Sequence, residues 1–138
     1  GGLWYTDDPS LLLPVGMRVA DAQFEVIRRT ASQGPCVIVG RCADYVLEEQ
    51  KNVFNVFVRS DMENRVMRCR EEFGLTEADA RKLIRKTDKI RSNYYRYYTQ
   101  TEWGDPSHYD LVIDAGRLGT DAAAYLIAAY VRQFDPKA

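Results

Sequence analysis

The chain has 138 residues, of which 46% are hydrophobic and 28% are charged, and its formal net charge is -1. This composition supplies enough apolar material for one core and one domain, and it argues against disorder. Three cysteines without a CxxC motif or a neighbouring histidine favour neither a disulfide framework nor a zinc site. They fit a reducing cytoplasm, which is the predicted location. No apolar run is long enough to cross a bilayer, so no membrane contact is expected.

The first half of the chain predicts an irregular arm, a helix and two strands. Residues 1–17 contain two prolines and no steady period, which indicates the arm. A helical period follows from about Val19 to Ser32 and stops before Gly34-Pro35. An unbroken apolar run typical of a strand buried in a parallel sheet then occurs at Cys36–Val39, and a second such strand is predicted at Asn52–Arg59.

The second half predicts three helices and a third strand. Asp61 opens a helical period that ends at Gly74, and Thr76 with Asp79 has the form of a capping box for a helix to about residue 98. A turn at 103–106, a strand at 111–114, a loop at 115–119 and a final helix capped by Thr120 follow. Strands separated by helices predict an α/β fold, with a parallel sheet flanked by helices.

The two helices after the second strand carry an unusual amount of positive charge. Of the 19 Lys and Arg residues, 11 lie between Arg59 and Arg96. Arg65 and Arg68 share one side of the first helix. On the second helix, a single stripe is formed by Arg81, Arg85, Asp88, Ser92 and Tyr95. Arg91 lies beside this stripe. Convergent arginines stabilise a transferring phosphoryl group, although the same residues among glutamates could form a solvated face.

A second candidate site follows the first predicted strand at Gly40-Arg41-Cys42-Ala43-Asp44. Parallel α/β sheets bind ligands beyond the carboxyl ends of their strands. Glycine allows a tight turn there, and an arginine presents a planar fork of donors to a phosphate. The alternative is a plain strand-to-helix turn with a solvated Arg41.

Other polar and aromatic residues give weaker signals. The run Tyr94–Tyr98 resembles a stacking surface for single-stranded nucleic acid. On a helix, however, Tyr94 and Tyr97 continue an apolar face that begins at Leu83, so packing is favoured and no nucleic-acid partner is expected. His108 has no marked partner for a hydrolytic triad. Asp114 could hold a metal through water or cap the loop that follows it.

Several of these segments together resemble the bacterial cytidylate-kinase-like proteins. The hallmark run is Gly34–Leu47, and further matching segments follow in the same order: 55–58, 87–91, 94–95, 97–99, 103–105 and 109–111. They cover roughly residues 18 to 132, and ordered matches are more specific than any single motif. The resemblance implies a P-loop nucleoside-monophosphate-kinase fold in which 18–138 is the C-terminal part of one kinase-like domain, with a helical lid at about 61–98.

The resemblance also implies an activity and roles for individual residues. It implies transfer of the γ-phosphoryl group of ATP, with Mg²⁺, to a nucleoside monophosphate as the small-molecule partner. The implied catalytic residues are Arg65, Arg68, Arg85, Asp88 and Arg91. Gly40, Arg41 and Asp44 would bind the acceptor, Arg117 and Leu118 would pack on adenine, and no protein metal ligand is implied. Two positions depart from the family pattern, since Cys42 replaces an aspartate and Ile84 replaces the first lid arginine.

The main departure concerns the loop that holds ATP. The motif GxxxxGK[ST], whose backbone amides cradle phosphates, occurs nowhere in these residues. We therefore expect the P-loop strand and helix to be absent from the chain as given, and the chain alone to bind no ATP productively. The alternative function is a catalytically inactive nucleotide-binding or regulatory module of the same fold. The acceptor and the oligomeric state are left open.

Overall fold

The computed structural model describes the backbone of residues 13–134 and the side chains of residues 19–134. The chain divides into two compact units, residues 1–48 and 49–138, and each is described by itself. Among the described residues, no helix combines the length and the apolar composition that crossing a membrane requires.

In its described residues, 13–48, the first unit contains a long helix, α1 (Leu13–Gln33), and a single helical turn, α2 (Ala43–Val46). The buried side chains on α1 are Ala20, Phe24 and Ile27, which lie on one face of the helix as their spacing predicted. The ring of Phe24 meets that of Tyr45 in an edge-to-face contact, with ring centres 6.5 Å apart. These contacts pack α2 against α1.

α1 is longer than predicted at its start. The irregular arm was expected to reach residue 17, but α1 begins at Leu13, so residues 13–17 are helical and that part of the prediction is wrong. One of the two prolines in the predicted arm, Pro14, is the second residue of α1. Proline is tolerated in the first helical turn, where its missing N–H has no carbonyl partner within the helix. Residues 1–12, the rest of the predicted arm, lie outside the described residues.

The predicted strand at Cys36–Val39 is not formed. No ladder hydrogen bond joins these residues to any other described residue, and the side chains of Val37 and Val39 are 92% and 87% exposed. An apolar run shows that a segment suits a sheet, but a strand exists only where a second strand supplies hydrogen-bond partners. This run therefore has the composition of a buried strand without its environment.

The second unit combines two short parallel strands with helices. Its elements in chain order are β1 (Val56–Arg59), α3 (Met62–Phe73), α4 (Glu77–Thr99), a 3₁₀ turn (Pro106–His108), β2 (Leu111–Asp114), α5 (Ala115–Leu118) and α6 (Thr120–Val131). The strands predicted at 52–59 and 111–114 are therefore confirmed, the first over its second half. The two pair in parallel, and the crossover between them contains α3 and α4.

Hydrogen bonds just before the two strands fix their register. The backbone N–H of Asn55 donates to the Asp110 carboxylate at 2.7 Å, and the N–H of Asp110 donates back to the Asn55 carbonyl at 2.8 Å. Val56 then stands opposite Leu111 and Arg59 opposite Asp114. Because side chains alternate between the two faces of a strand, this register determines which residues point to the buried side.

α3, α4 and the turn between them form what we call the α3–α4 hairpin, residues 62–99. Its ends agree with the sequence prediction. The Asp61 carboxylate accepts a hydrogen bond from the Asn64 N–H at 2.8 Å, and the Thr76 hydroxyl accepts one from the Asp79 N–H at 3.2 Å. Each cap satisfies an amide that lacks a partner within its helix. The core of the hairpin is the buried cluster of Val66, Ala80 and Ile84.

Two predictions after β2 need correction. The expected loop at 115–119 contains one helical turn, α5, because the Asp114 carboxylate accepts a hydrogen bond from the Arg117 N–H at 3.0 Å and caps it. The final helix, α6, is capped by Gly119, and Thr120 is its first residue. Gly119 has a φ of 84°, a conformation that threonine adopts only with strain, so the chain changes direction one residue earlier than expected.

Candidate functional site

The two helices of the hairpin are joined by an ion pair between Arg65 and Asp88. Arg65 Nη1 donates to Asp88 Oδ2 at 2.7 Å, and Arg65 Nη2 donates to Asp88 Oδ1 at 2.6 Å. Each side chain is 29% exposed, so the pair is partly shielded from water. The hydrogen bonds to Asp88 raise the pKa of Arg65 above its ordinary value. The structure thus brings together two of the five predicted catalytic residues, one from each helix.

The other three predicted catalytic residues lie one helical turn from this pair. Arg68 follows Arg65 by three positions on α3, while Arg85 and Arg91 lie three positions on either side of Asp88 on α4. All three are exposed. Arg68 makes a long contact of 3.8 Å with Glu72, and no hydrogen bond or ion pair of Arg85 or Arg91 occurs among the described residues. These guanidinium groups are therefore available to an anion.

Arg81, which the sequence placed in the same stripe, has a different environment. Its guanidinium donates to Glu63 at 2.7 Å and 2.9 Å and to Glu77 at 3.0 Å. These bonds raise its pKa above the ordinary value. Arg81 therefore cross-links the beginnings of α3 and α4, and two carboxylates neutralise its charge. The sequence could not show this, because Glu63 lies 18 residues away on the other helix.

The buried face of α4 differs from the one predicted. Leu83 and Tyr97, expected in the core, are 40% and 52% exposed, whereas Ile84 is 4% and Tyr95 is 7% exposed. The packing of α3 determines which face of α4 is buried, since Val66 of α3 packs against the side of α4 that carries Ile84. Ile84 stands where the family pattern has an arginine. An arginine there would point into the hairpin core, so the adjacent Arg85 is the one in solvent.

The predicted acceptor site is a tight turn in the first unit. Gly40, Arg41 and Cys42 all have positive φ angles, of 72°, 57° and 55°, and the Ala43 N–H donates to the Gly40 carbonyl at 3.2 Å. Positive φ at both central residues is the geometry of a type I′ turn, which non-glycine residues adopt at a cost. The turn leaves the Arg41 side chain exposed and buries that of Cys42. The Asp44 carboxylate accepts from the Tyr45 N–H at 2.9 Å.

The Cys42 thiol cannot supply the exposed negative charge of the aspartate that the family pattern has at this position. Its side chain is 5% exposed, and burial, with a smaller effect from the Asp44 charge, raises the pKa of the thiol to about 12. At neutral pH it is an uncharged side chain of the core. Of residues 40–44, Arg41 is the charged residue whose side chain is exposed to a ligand.

The carboxyl ends of β1 and β2 form a third polar region, which contains one residue that sequence reasoning missed. Arg59 Nη1 donates to Asp114 Oδ2 at 3.2 Å across the strand pair. Gly116 lets α5 approach β1 closely, because a Cβ there would collide with Ser60 Oγ. Arg117 and Leu118, the predicted adenine contacts, are both exposed on α5. The signal that could have revealed Arg59 was its place at the end of a strand.

The described residues do not form a metal site of their own. No group of three histidine, cysteine or acidic side chains occurs together among them. Asp114, the candidate ligand, accepts from Arg59 through one oxygen and caps α5 through the other. The capping interpretation of Asp114 is therefore confirmed.

The model of the cytidylate kinase-like family matches residues 13–117. A crystal structure of an uncharacterized protein from Eubacterium ventriosum has 33% sequence identity and a TM-score of 0.80, and the match covers 84% of this chain. The chain spans 66% of the length of that protein. No curated protein matches. The family match extends over more than half of the chain, and we conclude that the chain belongs to the cytidylate kinase-like family.

Proposed function

We propose that this chain is part of a nucleotide kinase that transfers the γ-phosphoryl group of ATP, with Mg²⁺, to a nucleoside monophosphate. The observation that carries the proposal is the α3–α4 hairpin, in which Arg65 is fixed by Asp88 and is accompanied by three exposed arginines. Transfer of a phosphoryl group is catalysed mainly by positioning and by compensation of negative charge. A hairpin that fixes one arginine and presents several more supplies both.

The proposed roles follow from the environment of each arginine. Among the proposed catalytic arginines, Arg65 has the most fixed guanidinium and would contact the transferring group. The exposed Arg68, Arg85 and Arg91 would move to the donor and acceptor phosphates as the hairpin acts as a lid. Arg41, with Gly40 and Asp44 in the same turn, would bind the acceptor. Arg117 and Leu118 would pack on adenine. Three free cysteines in the described residues fit the cytoplasmic location that we also propose.

The direct experiment measures ADP formation by the full-length protein with ATP, Mg²⁺ and each nucleoside monophosphate in turn. We expect transfer to at least one acceptor, and a decrease in kcat of about 100-fold or more for Arg65→Ala. Arg96→Ala is the matched control, because Arg96 lies on the same hairpin but pairs with Glu102 at 2.6 Å. It should retain activity within about twofold, as expected for an exposed pair. Absence of both ADP formation and ATP binding in calorimetry would refute the proposal.

A second candidate is an inactive nucleotide-binding or regulatory module of the same fold. Cys42 favours it, since the buried thiol leaves the acceptor turn without the family's aspartate. Substitution of Arg41 by alanine separates the two candidates. Arg41 is exposed, so the variant should fold normally, as circular dichroism would check. Loss of phosphoryl transfer in the folded variant contradicts a purely regulatory role, whereas a wild-type protein that binds nucleotide without transfer supports it.

A further inference from the structure

We propose that Asp88 is a positioning residue, which holds the Arg65 guanidinium by its two terminal nitrogens and leaves its remaining edge directed at a phosphoryl group. The inference rests on the proposed function and deepens it. It assigns Asp88 no contact with the substrate. Asp88 would act only through Arg65, which is a narrower role than the catalytic one implied by the resemblance.

The geometry of the pair shows which donors remain. A guanidinium has five N–H groups, and Asp88 takes one from Nη1 and one from Nη2. Nε–H and one N–H on each terminal nitrogen are left, and the Arg65 side chain makes no other hydrogen bond with the described residues. Nε and Nη2 lie on one edge of the planar group, and two parallel donors on one edge match two oxygens of a phosphate. Arg65 can therefore bind Asp88 and a phosphate at the same time.

Prior positioning of the Arg65 side chain matters because it reduces the entropy that is lost when an anion binds. A free arginine loses much rotamer freedom when it binds an anion, and this loss weakens binding. The two short bonds to Asp88 fix Arg65 before any anion arrives. Arg68 shows the contrast, because its side chain is 72% exposed and its single contact with Glu72 is 3.8 Å long. Of these two arginines on α3, only Arg65 is held in one orientation.

This role makes a prediction opposite in sign to simple electrostatics. Asp88 carries a negative charge beside the expected anion, so its removal should strengthen anion binding if charge alone matters. If Asp88 positions Arg65, its removal should weaken anion binding, because the guanidinium becomes mobile. The sign of the change therefore separates the two effects, and a role of the ion pair in stability alone does not produce the weakening.

The experiment measures the binding of inorganic tripolyphosphate to this chain by calorimetry at low salt, without ATP or turnover. Asp88→Asn should weaken binding about tenfold, the size expected for a charge-assisted hydrogen bond that is no longer well directed. Arg65→Ala should weaken it at least as much. The double variant should bind no more weakly than Arg65→Ala, since Asp88 then has nothing to position. Glu71→Gln is the control, because it removes an exposed negative charge from α3 and should leave binding unchanged or slightly stronger.

Circular dichroism and thermal unfolding establish that each variant is folded. Should Asp88→Asn unfold, Asp88→Glu replaces it: the longer carboxylate keeps the charge but displaces the guanidinium, and weaker binding is again expected. Tighter binding by Asp88→Asn, or unchanged binding by Arg65→Ala, overturns the inference. Binding that weakens as expected in a protein without phosphoryl transfer supports the inference while the proposed function fails. Transfer that depends on Arg65, with tighter anion binding in Asp88→Asn, supports the proposed function while the inference fails.

Discussion

At the scale of single residues, two neighbouring cysteines have opposite environments. Cys36 is exposed, whereas Cys42 lies in the core of the first unit. Only the thiolate of a cysteine reacts with alkylating reagents. Burial raises the pKa of Cys42 from 9.0 to about 12, so its thiol stays protonated and inaccessible through the neutral range.

We expect iodoacetamide at pH 8 to label Cys36 at least about 100-fold faster than Cys42. Peptide mass spectrometry measures both rates in one sample. Cys36→Ser is the control, and it should remove the fast label alone. The folded state binds the Cys42 proton more tightly than the unfolded state does, so this group's contribution to stability is intact below pH 9 and is lost as the pH rises toward 12. Equal labelling of the two cysteines in the folded chain would contradict the assigned burial.

Spacing in the sequence indicates which candidate site residues share a helix face, but it does not show which of their charges are paired. The sequence identified Arg65, Asp88 and Arg41 as candidates, and the structure brings the first two within hydrogen-bond distance. It placed Arg81 in the same cationic stripe, yet Glu63 and Glu77 neutralise this residue. The difference is physical, since spacing along a helix determines which residues share a face, whereas charge pairing depends on the neighbouring helix.

At the scale of elements, the hairpin is stabilised by a small core. Val66, Ala80 and Ile84 are buried together, and partly buried side chains of Met62, Cys69 and Leu75 surround them. With so few buried residues, removal of one large side chain removes a substantial part of the packing. The hairpin also holds Arg65 and Asp88 opposite each other, so its packing is a condition for the site.

Ile84→Ala should lower the free energy of unfolding by about 2–4 kcal/mol, because it leaves a cavity beside Val66. Leu83→Ala is the matched control at the preceding residue of the same helix. Leu83 is 40% exposed, against 4% for Ile84, so its loss should be under about 1 kcal/mol. Urea denaturation followed by circular dichroism measures both. Equal losses would show that the core face of α4 is not the one described.

The two caps of the α3–α4 hairpin were predicted to the residue, whereas the state of Cys36–Val39 and the buried face of α4, which depend on distant segments, were not. Asp61 and Thr76 cap their helices through amides three residues away, so the sequence itself contains the whole interaction. The run Cys36–Val39 has strand composition, but its pairing would depend on a distant segment, and the structure gives it none among the described residues. The prediction of which side of α4 is buried was wrong for the same reason, since packing against α3 determines that side.

At the scale of the whole molecule, the boundary between the two compact units is a candidate for proteolysis. The boundary falls between Glu48 and Glu49, and the residues from Glu48 to Asn52 are exposed and lie in turns or irregular structure. Proteases cleave exposed, irregular segments first, because the chain must enter the active site in extended form.

Limited digestion with trypsin should therefore cut after Lys51 before it cuts the helical lysines and arginines of the α3–α4 hairpin. Mass spectrometry would detect fragments 1–51 and 52–138. Lys51→Ala should slow the appearance of these fragments, whereas Lys86→Ala, within α4, should not. A first cut inside α4 would contradict the stability assigned to the hairpin.

The register bonds between Asn55 and Asp110 have a consequence for the order of folding. These residues are 55 positions apart, while the turn of the α3–α4 hairpin joins residues that are close in the chain. Local contacts close small loops and form rapidly, whereas a parallel strand pair must first bring distant segments together. During synthesis the ribosome releases the whole hairpin before β2 appears. The nascent chain can therefore form the arginine-bearing helices first, and β1 and β2 pair afterwards.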